Sequence, residues 1–173
     1  MSETTNPVLL AIHERRSIRK YTADPVSRED VTAILEAGRW APTGMNNQPC
    51  RFAVAMAGTE RQESLAGQTK YGHVVRGAGA LIALLLDKSA VYNEKKDHQA
   101  AGATMQNMML AAHSLGLGSV WLGEIVNQET GVLGVLGVDP EKYELQAVLA
   151  VGHPDQLDSS SRKPLADMLL GDF

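Results

Sequence analysis

The sequence predicts a sandwich of the α+β or α/β class, in which a four-stranded sheet is covered by helices on both faces. Three observations favour this class. Four short apolar segments are typical of strands, helical segments separate them, and residues 80–86 are apolar at every position, as in a strand buried on both faces. The length of 173 residues suits a single domain, which we expect to span residues 1–173.

Composition excludes several classes of protein. A net charge of −4 gives no basic surface of the kind that nucleic-acid binding requires. One cysteine excludes an intramolecular disulfide and a cysteine-rich metal site, and the five histidines are too scattered to bind zinc. The sequence shows no signal peptide, and polar residues interrupt its longest apolar run. We therefore expect a cytoplasmic protein that does not bind membranes.

The first two helices have clear signals at their ends. Residues 7–15 carry an apolar side that includes Val8, Leu9 and Ile12. The second helix begins after Ser27, a favoured N-cap, and ends near residue 41 because Pro42 disfavours helical geometry in the residue before it. The four strands are predicted at residues 51–57, 80–86, 119–122 and 145–151. Shorter helices are predicted at residues 60–66, between Asn127 as the cap and Gly137, and at residues 165–169.

The longest predicted element is a helix over residues 99–115, rich in Ala, Met and Leu. No charged residue lies between Asp97 and Glu124 when histidine is counted as neutral, so we expect this helix to be buried on all sides. Gln99, Gln106 and His113 are seven residues apart and share one face. That face is either partly solvated or a helix–helix seam between two subunits.

Two polar segments are candidates for binding. Residues 15–20 hold four cations and a serine, and arginine forks with a hydroxyl group suit phosphate oxygens, although a solvated basic turn has the same composition. Residues 41–50 contain two Pro, one Gly and three amide side chains, which predicts a loop. Amides donate and accept hydrogen bonds, as a heteroaromatic ring would require, but an ordinary turn has the same residues.

Three segments together resemble the nitroreductase family of flavoenzymes. Residues 15–21 are similar to its Arg-Arg-Ser-x-Arg segment, residues 41–49 to its Ala-Pro-Ser-x-x-Asn-x-Gln-Pro loop, and residues 116–123 to its Gly-Leu-Gly-x-x-Trp-x-Gly segment. A weaker resemblance to the family lies in residues 152–154 followed by residues 162–165. The resemblance implies an α+β fold, an α/β/α sandwich around a mainly antiparallel sheet, with FMN bound at a homodimer interface.

The resemblance also implies which residues contact FMN. Arg15, Ser17 and Arg19, with Arg16 beside them, would approach its phosphate, ribityl chain and pyrimidine edge. The backbone N–H groups of Gly123 and Glu124 would lie near flavin N5. The loop of the other subunit would cover the flavin through Pro42, Thr43, Gly44 and Asn46. Further contacts would come from Gln68 or Lys70, Leu122, Arg162 and Lys163.

Two positions depart from the family pattern. Cys50 stands where the family commonly has a tryptophan, and we interpret it as a small buried residue. Ser160 stands where some relatives place a second cation before the arginine that matches Arg162, so phosphate binding would depend more on Arg15, Arg16, Arg19 and Lys163.

The activity that the resemblance implies is hydride transfer from NAD(P)H through flavin N5 to a nitroaromatic, a quinone or a similar small acceptor. Donor and acceptor would use one site in a ping-pong sequence, and no catalytic side chain is expected. Alternatives with the same fold are reductive dehalogenation and oxygen-dependent flavin fragmentation. The chain lacks an extra lid between Leu86 and Asp97, which argues against the dehalogenase. A non-catalytic flavin-binding module is the alternative from a different class.

Overall fold

The sheet is antiparallel throughout, with its four strands in the order β1-β2-β4-β3. The structure is a computed structural model that describes residues 6–171. The strands are β1 (Cys50–Met56), β2 (Ala80–Asp87), β3 (Gly118–Leu122) and β4 (Tyr143–Gly152). The helices are α1 (Pro7–Glu14), α2 (Arg28–Arg39), α3 (Glu60–Ala66), α4 (Gly72–Gly77), α5 (Glu94–Ser114) and α6 (Glu129–Leu136). Helices separate strands that pair antiparallel, which confirms the α+β class.

Each face of the sheet has its own hydrophobic core. Leu81, Ala83 and Leu85 of β2 pack with apolar residues of α3, α4 and α6. The alternate residues of β2 point to the opposite face, where Ile82 and Leu84 pack with α2 and α5. Because side chains alternate across a strand, the unbroken apolar run from Ala80 to Leu86 supplies both cores, as predicted for these residues.

Side-chain caps fix where several helices begin. Ser27 Oγ accepts a hydrogen bond from Asp30 N at 2.9 Å, which confirms the predicted start of α2. Asn6 Oδ1 accepts from the backbone N–H groups at the start of α1. Asn127 is not the cap of α6, because it lies inside a 3₁₀ turn, Glu124–Gln128, that comes before this helix. The C-terminal helix is likewise only a 3₁₀ turn, Leu165–Met168.

The long helix α5 differs from its prediction at both its start and its surface. It begins at Glu94 rather than Gln99, because Asn93 caps it by accepting from Lys96 N at 3.1 Å. It is not buried on all sides in the single chain, because one stripe is half-buried or exposed while the opposite side packs into the core. This open stripe consists of Gln99, Gly102, Ala103, Gln106, Leu110 and His113.

Other apolar surface lies beside this stripe. Helix α1 has no buried residue, and the predicted apolar side chains Val8, Leu9 and Ile12 are 62%, 54% and 49% exposed. None of the helices in residues 6–171 is long and apolar enough to cross a membrane.

Candidate functional site

The basic turn after α1 is attached to the first residues of β3. Ile18 N donates to Ser119 O at 2.9 Å, and Ser17 forms an isolated parallel bridge with Ser119. Gly118 permits this approach, because a Cβ added there would lie 2.8 Å from the Cβ of Ile18. Gly118, the second glycine of the Gly-Leu-Gly segment, therefore lets the Arg15–Arg19 turn pack against the sheet.

Tyr21 fixes the other end of this turn. Its hydroxyl group donates to Ile18 O at 2.7 Å and lies 3.3 Å from Ala150 O. Its ring packs on Gly152, where a Cβ would lie 2.7 Å from Tyr21 Cγ. Burial raises the pKa of Tyr21, with the charge of Arg19 acting in the opposite direction, so the hydroxyl remains a donor at neutral pH.

Replacing Tyr21 with phenylalanine should remove these hydrogen bonds and retain the packed ring. We expect the Tyr21→Phe variant to lose about 1 kcal/mol of unfolding free energy, the usual net contribution of a buried hydrogen bond. Urea denaturation measures this loss. A variant with wild-type stability would show that ring packing alone holds the turn.

Arg15 and Arg16 face a cleft with hydrogen-bond donors that have no acceptor. The cleft has a volume of about 310 Å³ and extends from these arginines to His113 and Gly118. Within residues 6–171, the buried Nε and Nη1 of Arg15 and Nε of Arg16 make no hydrogen bond. Glu14 and Asp158 also border the cleft, but neither forms an ion pair with the arginines in the described residues. Buried cationic donors of this kind suit an anionic partner, because charge-assisted hydrogen bonds are the strongest they can form.

A third cation comes from the C-terminal segment. Burial lowers the pKa of Arg15, and the positive charges of Arg162 and Arg16 lower it further. Arg162 is therefore close enough to repel Arg15, although the two residues are far apart in sequence. Lys163 is exposed. The guanidinium group of Arg19 is also exposed and donates to Ser17 O at 3.3 Å.

The predicted loop over residues 41–49 contains a 3₁₀ turn, Gly44–Asn46, and an unusual backbone. Met45, Asn46 and Gln48 all have a positive φ, at 53°, 55° and 49°. Thr43 Oγ1 accepts from Gln48 N at 3.1 Å and closes the loop, while Pro42 and Asn46 are exposed. Non-glycine residues in the left-handed region are held there by their surroundings and are common at ligand-binding sites.

In one chain, this loop and the arginine cleft lie at opposite ends of α5. Asn47 of the loop contacts Asp97 in the first turn of α5, whereas the cleft reaches His113 in its last turn. Sixteen residues at 1.5 Å rise separate these positions by about 24 Å. The structure therefore does not bring Pro42, Thr43, Gly44 and Asn46 to the arginines within a single chain.

The residues after β3 form a third part of the candidate site. Gly123 is exposed, and Glu124 Oε2 accepts a hydrogen bond from Thr69 Oγ1 at 2.6 Å. Gln68 packs on Gly131 of α6, where an added Cβ would lie 2.9 Å from Gln68 Cδ. Leu122 is 4% exposed and its side chain belongs to the core, so it does not project into the site.

Cys50 is half-buried in the structure, and its Sγ lies 3.3 Å from Thr104 Oγ1. Burial raises the pKa of the thiol, which the hydrogen bond from Thr104 offsets only in part. This environment agrees with the interpretation of Cys50 as a small buried residue rather than a reactive thiolate.

Comparison with known proteins identifies the family and the fold. The sequence model of the nitroreductase family matches residues 12–153, from the end of α1 through β4. This match covers the basic turn, the loop and the end of β3. The chain belongs to the nitroreductase family. The three segments that resemble the family pattern all lie within this matched range.

Individual relatives are similar in sequence to this chain over most of its length. A candidate NADH dehydrogenase/NAD(P)H nitroreductase from Archaeoglobus fulgidus is 34% identical over 84% of each chain. An NADPH-flavin oxidoreductase from Vibrio harveyi is 30% identical over 87% of this chain and 67% of its own. The crystal structure of a candidate nitroreductase from Desulfovibrio desulfuricans in complex with FMN superposes with a TM-score of 0.95, at 58% identity over 98% of both chains.

Three residues of the candidate site were not predicted from the sequence. Thr69 binds Glu124, Gln156 Oε1 accepts from Arg19 N at 3.1 Å and Lys20 N at 2.9 Å, and Asp97 binds the loop through Asn47. Only Asp97 carried a usable signal, since it is a lone acid directly before a long uncharged stretch. Thr69 and Gln156 lie in weakly patterned segments, and their partners are distant in sequence.

Proposed function

We propose that this chain is an FMN-dependent NAD(P)H oxidoreductase that reduces a small acceptor such as a nitroaromatic or a quinone. The observation that carries the proposal is the set of unpaired donors on Arg15 and Arg16, next to a third cation, Arg162. An FMN phosphate would accept these donors and relieve the repulsion among the three guanidinium groups. The FMN complex of the Desulfovibrio relative and the flavin oxidoreductase named in Vibrio support this choice.

The chain's own residues would bind and orient the cofactor. Arg15, Arg16 and Arg162 would hold the phosphate, and Ser17 would add a hydroxyl donor. Gly123 and Glu124 stand at the start of a 3₁₀ turn, where backbone N–H groups have no partner within the turn and can donate to a ligand. The hydrogen bond from Thr69 fixes Glu124 in place. When bound, FMN supplies the hydride-transfer chemistry.

The proposal includes a homodimer in which each loop over residues 42–46 covers the cofactor of the other subunit. The separation of about 24 Å between loop and arginine cleft supports a second copy as the source of the loop. The open stripe of α5 and the exposed apolar side of α1 provide a surface for the contact. Joining two copies through this surface would bury the apolar groups that one chain leaves in water.

The absorbance spectrum of the purified protein is the direct test of the cofactor. We expect flavin bands, and we expect the cofactor-free protein to bind added FMN. A colourless protein that neither retains nor binds FMN would contradict the proposal.

The single cysteine suits a reducing compartment, and we expect the enzyme to act in the cytoplasm.

Steady-state kinetics should follow a ping-pong pattern. The covering loop and α5 would close one side of the cofactor, so donor and acceptor must enter the remaining side in succession. Double-reciprocal plots against NAD(P)H at several acceptor concentrations should give parallel lines, and excess of either substrate should inhibit competitively against the other. Intersecting lines would indicate that both substrates bind together. The same conclusion would follow if NAD(P)H alone, without an acceptor, failed to bleach the flavin under anaerobic conditions.

A further inference from the structure

We propose that Asp97 and Asn47 are positioning residues, which hold the loop over residues 43–48 in the conformation that contacts the cofactor. The inference rests on the proposed function, because FMN binding is what gives this loop its role. Asn47 lies in this loop, but neither its side chain, which bonds Asp97, nor Asp97 itself is among the groups proposed to touch FMN. Both act through the shape of the loop.

Asp97 is a buried carboxylate whose two oxygens accept three hydrogen bonds. It is 0% exposed, and its Oδ2 accepts from Tyr92 N and Asn93 N at 3.0 Å each. Its Oδ1 accepts from Asn47 Nδ2 at 3.2 Å. Burial by itself would raise the pKa of Asp97, but the bonds from Asn93, Asn47 and Tyr92 together lower it, so the group is ionised at neutral pH. An amide in its place would present hydrogens to at least one of these donors.

Asn47 transmits this anchor to the loop. Besides Asp97, its Nδ2 donates to Ala90 O at 2.6 Å, so both bonds run from one amide nitrogen to oxygen acceptors. The reversed amide would turn Oδ1 towards those same two oxygens, so the hydrogen-bond network fixes its orientation. Asn47 is flanked by Asn46 and Gln48, whose positive φ values mark strained backbone. The anchored side chain therefore lies between the residues that most need external support.

Asp97 also reaches the loop by a second route. The backbone N–H that it fixes belongs to Tyr92, whose ring lies directly on Gly44 of the loop. A Cβ at Gly44 would lie 2.7 Å from Tyr92 Cζ, so the absence of a side chain lets the two segments touch. One buried carboxylate thus organises the contacts of Asn47 and Gly44 with the segment that precedes α5.

Removing the anchor should loosen the loop without unfolding the protein. In the FMN-free Asp97→Asn and Asn47→Ala variants, we expect amide hydrogen exchange to accelerate in a peptide covering residues 41–50 and to stay unchanged in β2 and β4. Affinity falls in proportion to the population of the competent conformation, so FMN should bind roughly tenfold more weakly. Wild-type exchange in residues 41–50 of both variants would overturn the inference.

A charge variant separates positioning from general destabilisation. Asn47→Asp places a second carboxylate against Asp97, and two carboxylates at this distance retain a shared proton with a raised pKa. We expect FMN binding of this variant to be weakest near about pH 8 and to approach that of wild type near about pH 5. His98 on α5 and Cys50 on β1 also interact with Asp97, and both are present in the wild-type profile used for comparison. A constant ratio of the two affinities across pH would overturn the inference.

Gln62→Leu provides the matched control. Gln62 is buried, accepts from Gly58 N at 2.8 Å and donates to Val75 O and Ala78 O at 2.8 Å each, so its loss also removes side-chain bonds to a loop. This variant should lower stability but leave exchange in residues 41–50 and FMN affinity unchanged. Weaker FMN binding there would contradict a role specific to Asp97 and Asn47. If wild-type protein binds no FMN, the proposed function fails, while the exchange measurement still decides whether Asp97 and Asn47 hold the loop.

Discussion

The Arg15→Ala variant is expected to bind FMN at least tenfold more weakly, although its FMN-free form should be no less stable than wild type. A charge-assisted hydrogen bond contributes about 1.5–3 kcal/mol, which corresponds to a loss of at least tenfold. Without an anion, Arg15 is repelled by Arg162 and Arg16, and its buried nitrogens lack partners. Removing it therefore relieves an unfavourable arrangement. Fluorescence titration with FMN and thermal denaturation of the FMN-free protein measure the two effects.

Arg61→Ala is the control for this experiment. It removes the same charge from a residue of α3 that donates only a long bond, 3.4 Å, to Val54 O. Its FMN affinity should equal that of wild type. Arg19→Ala should weaken FMN binding less than Arg15→Ala, because the guanidinium group of Arg19 is exposed. Unchanged affinity in both the Arg15 and Arg19 variants would show that the basic turn is only a solvated surface.

Local signals explain why much of the fold was predictable. The Ser27 cap and Pro42 bracket α2 because capping and proline sterics act over a few residues. Strand β2 was predictable because burial on both faces leaves no polar position from Ala80 to Leu86. The arginines of the cleft could be named as candidates because four cations and a serine fall within six consecutive residues, which is also a local pattern.

Other features depend on contacts that sequence patterns do not record. Helix α4 forms within a glycine-punctuated stretch because Val74 and Val75 bury into the core of the sheet, which overrides weak local propensity. The same residues carry no periodic pattern long enough to identify a helix. The partner of the Arg15 turn was equally hidden, since Gln156 binds it across most of the chain. For α5, by contrast, the seven-residue spacing of Gln99, Gln106 and His113 predicted the stripe that is half-buried or exposed in a single chain.

That stripe gives the second large prediction. The Gly102→Leu variant should be monomeric at micromolar concentration, where we expect the wild type to sediment as a dimer. Gly102 lies near the middle of α5 on its open stripe, and within residues 6–171 an added Cβ would meet no atom within 4 Å outside the backbone of its own helix. A leucine there is therefore compatible with the fold of one subunit. In a two-fold interface each α5 presents the same stripe, so the new side chain would enter the space of its partner helix.

A matched glycine separates this effect from a change in helix stability. Gly134 of α6 is likewise helical, and within residues 6–171 an added Cβ there would meet no atom within 4 Å outside the backbone of its own helix. Gly102→Leu and the control Gly134→Leu should each stabilise their helix by up to about 1 kcal/mol, because glycine is a poor helix former. Only Gly102→Leu should dissociate the dimer and, by removing the covering loop of the other subunit, weaken FMN binding. If Gly102→Leu stays dimeric with wild-type FMN affinity, the two subunits do not meet through the open stripe of α5.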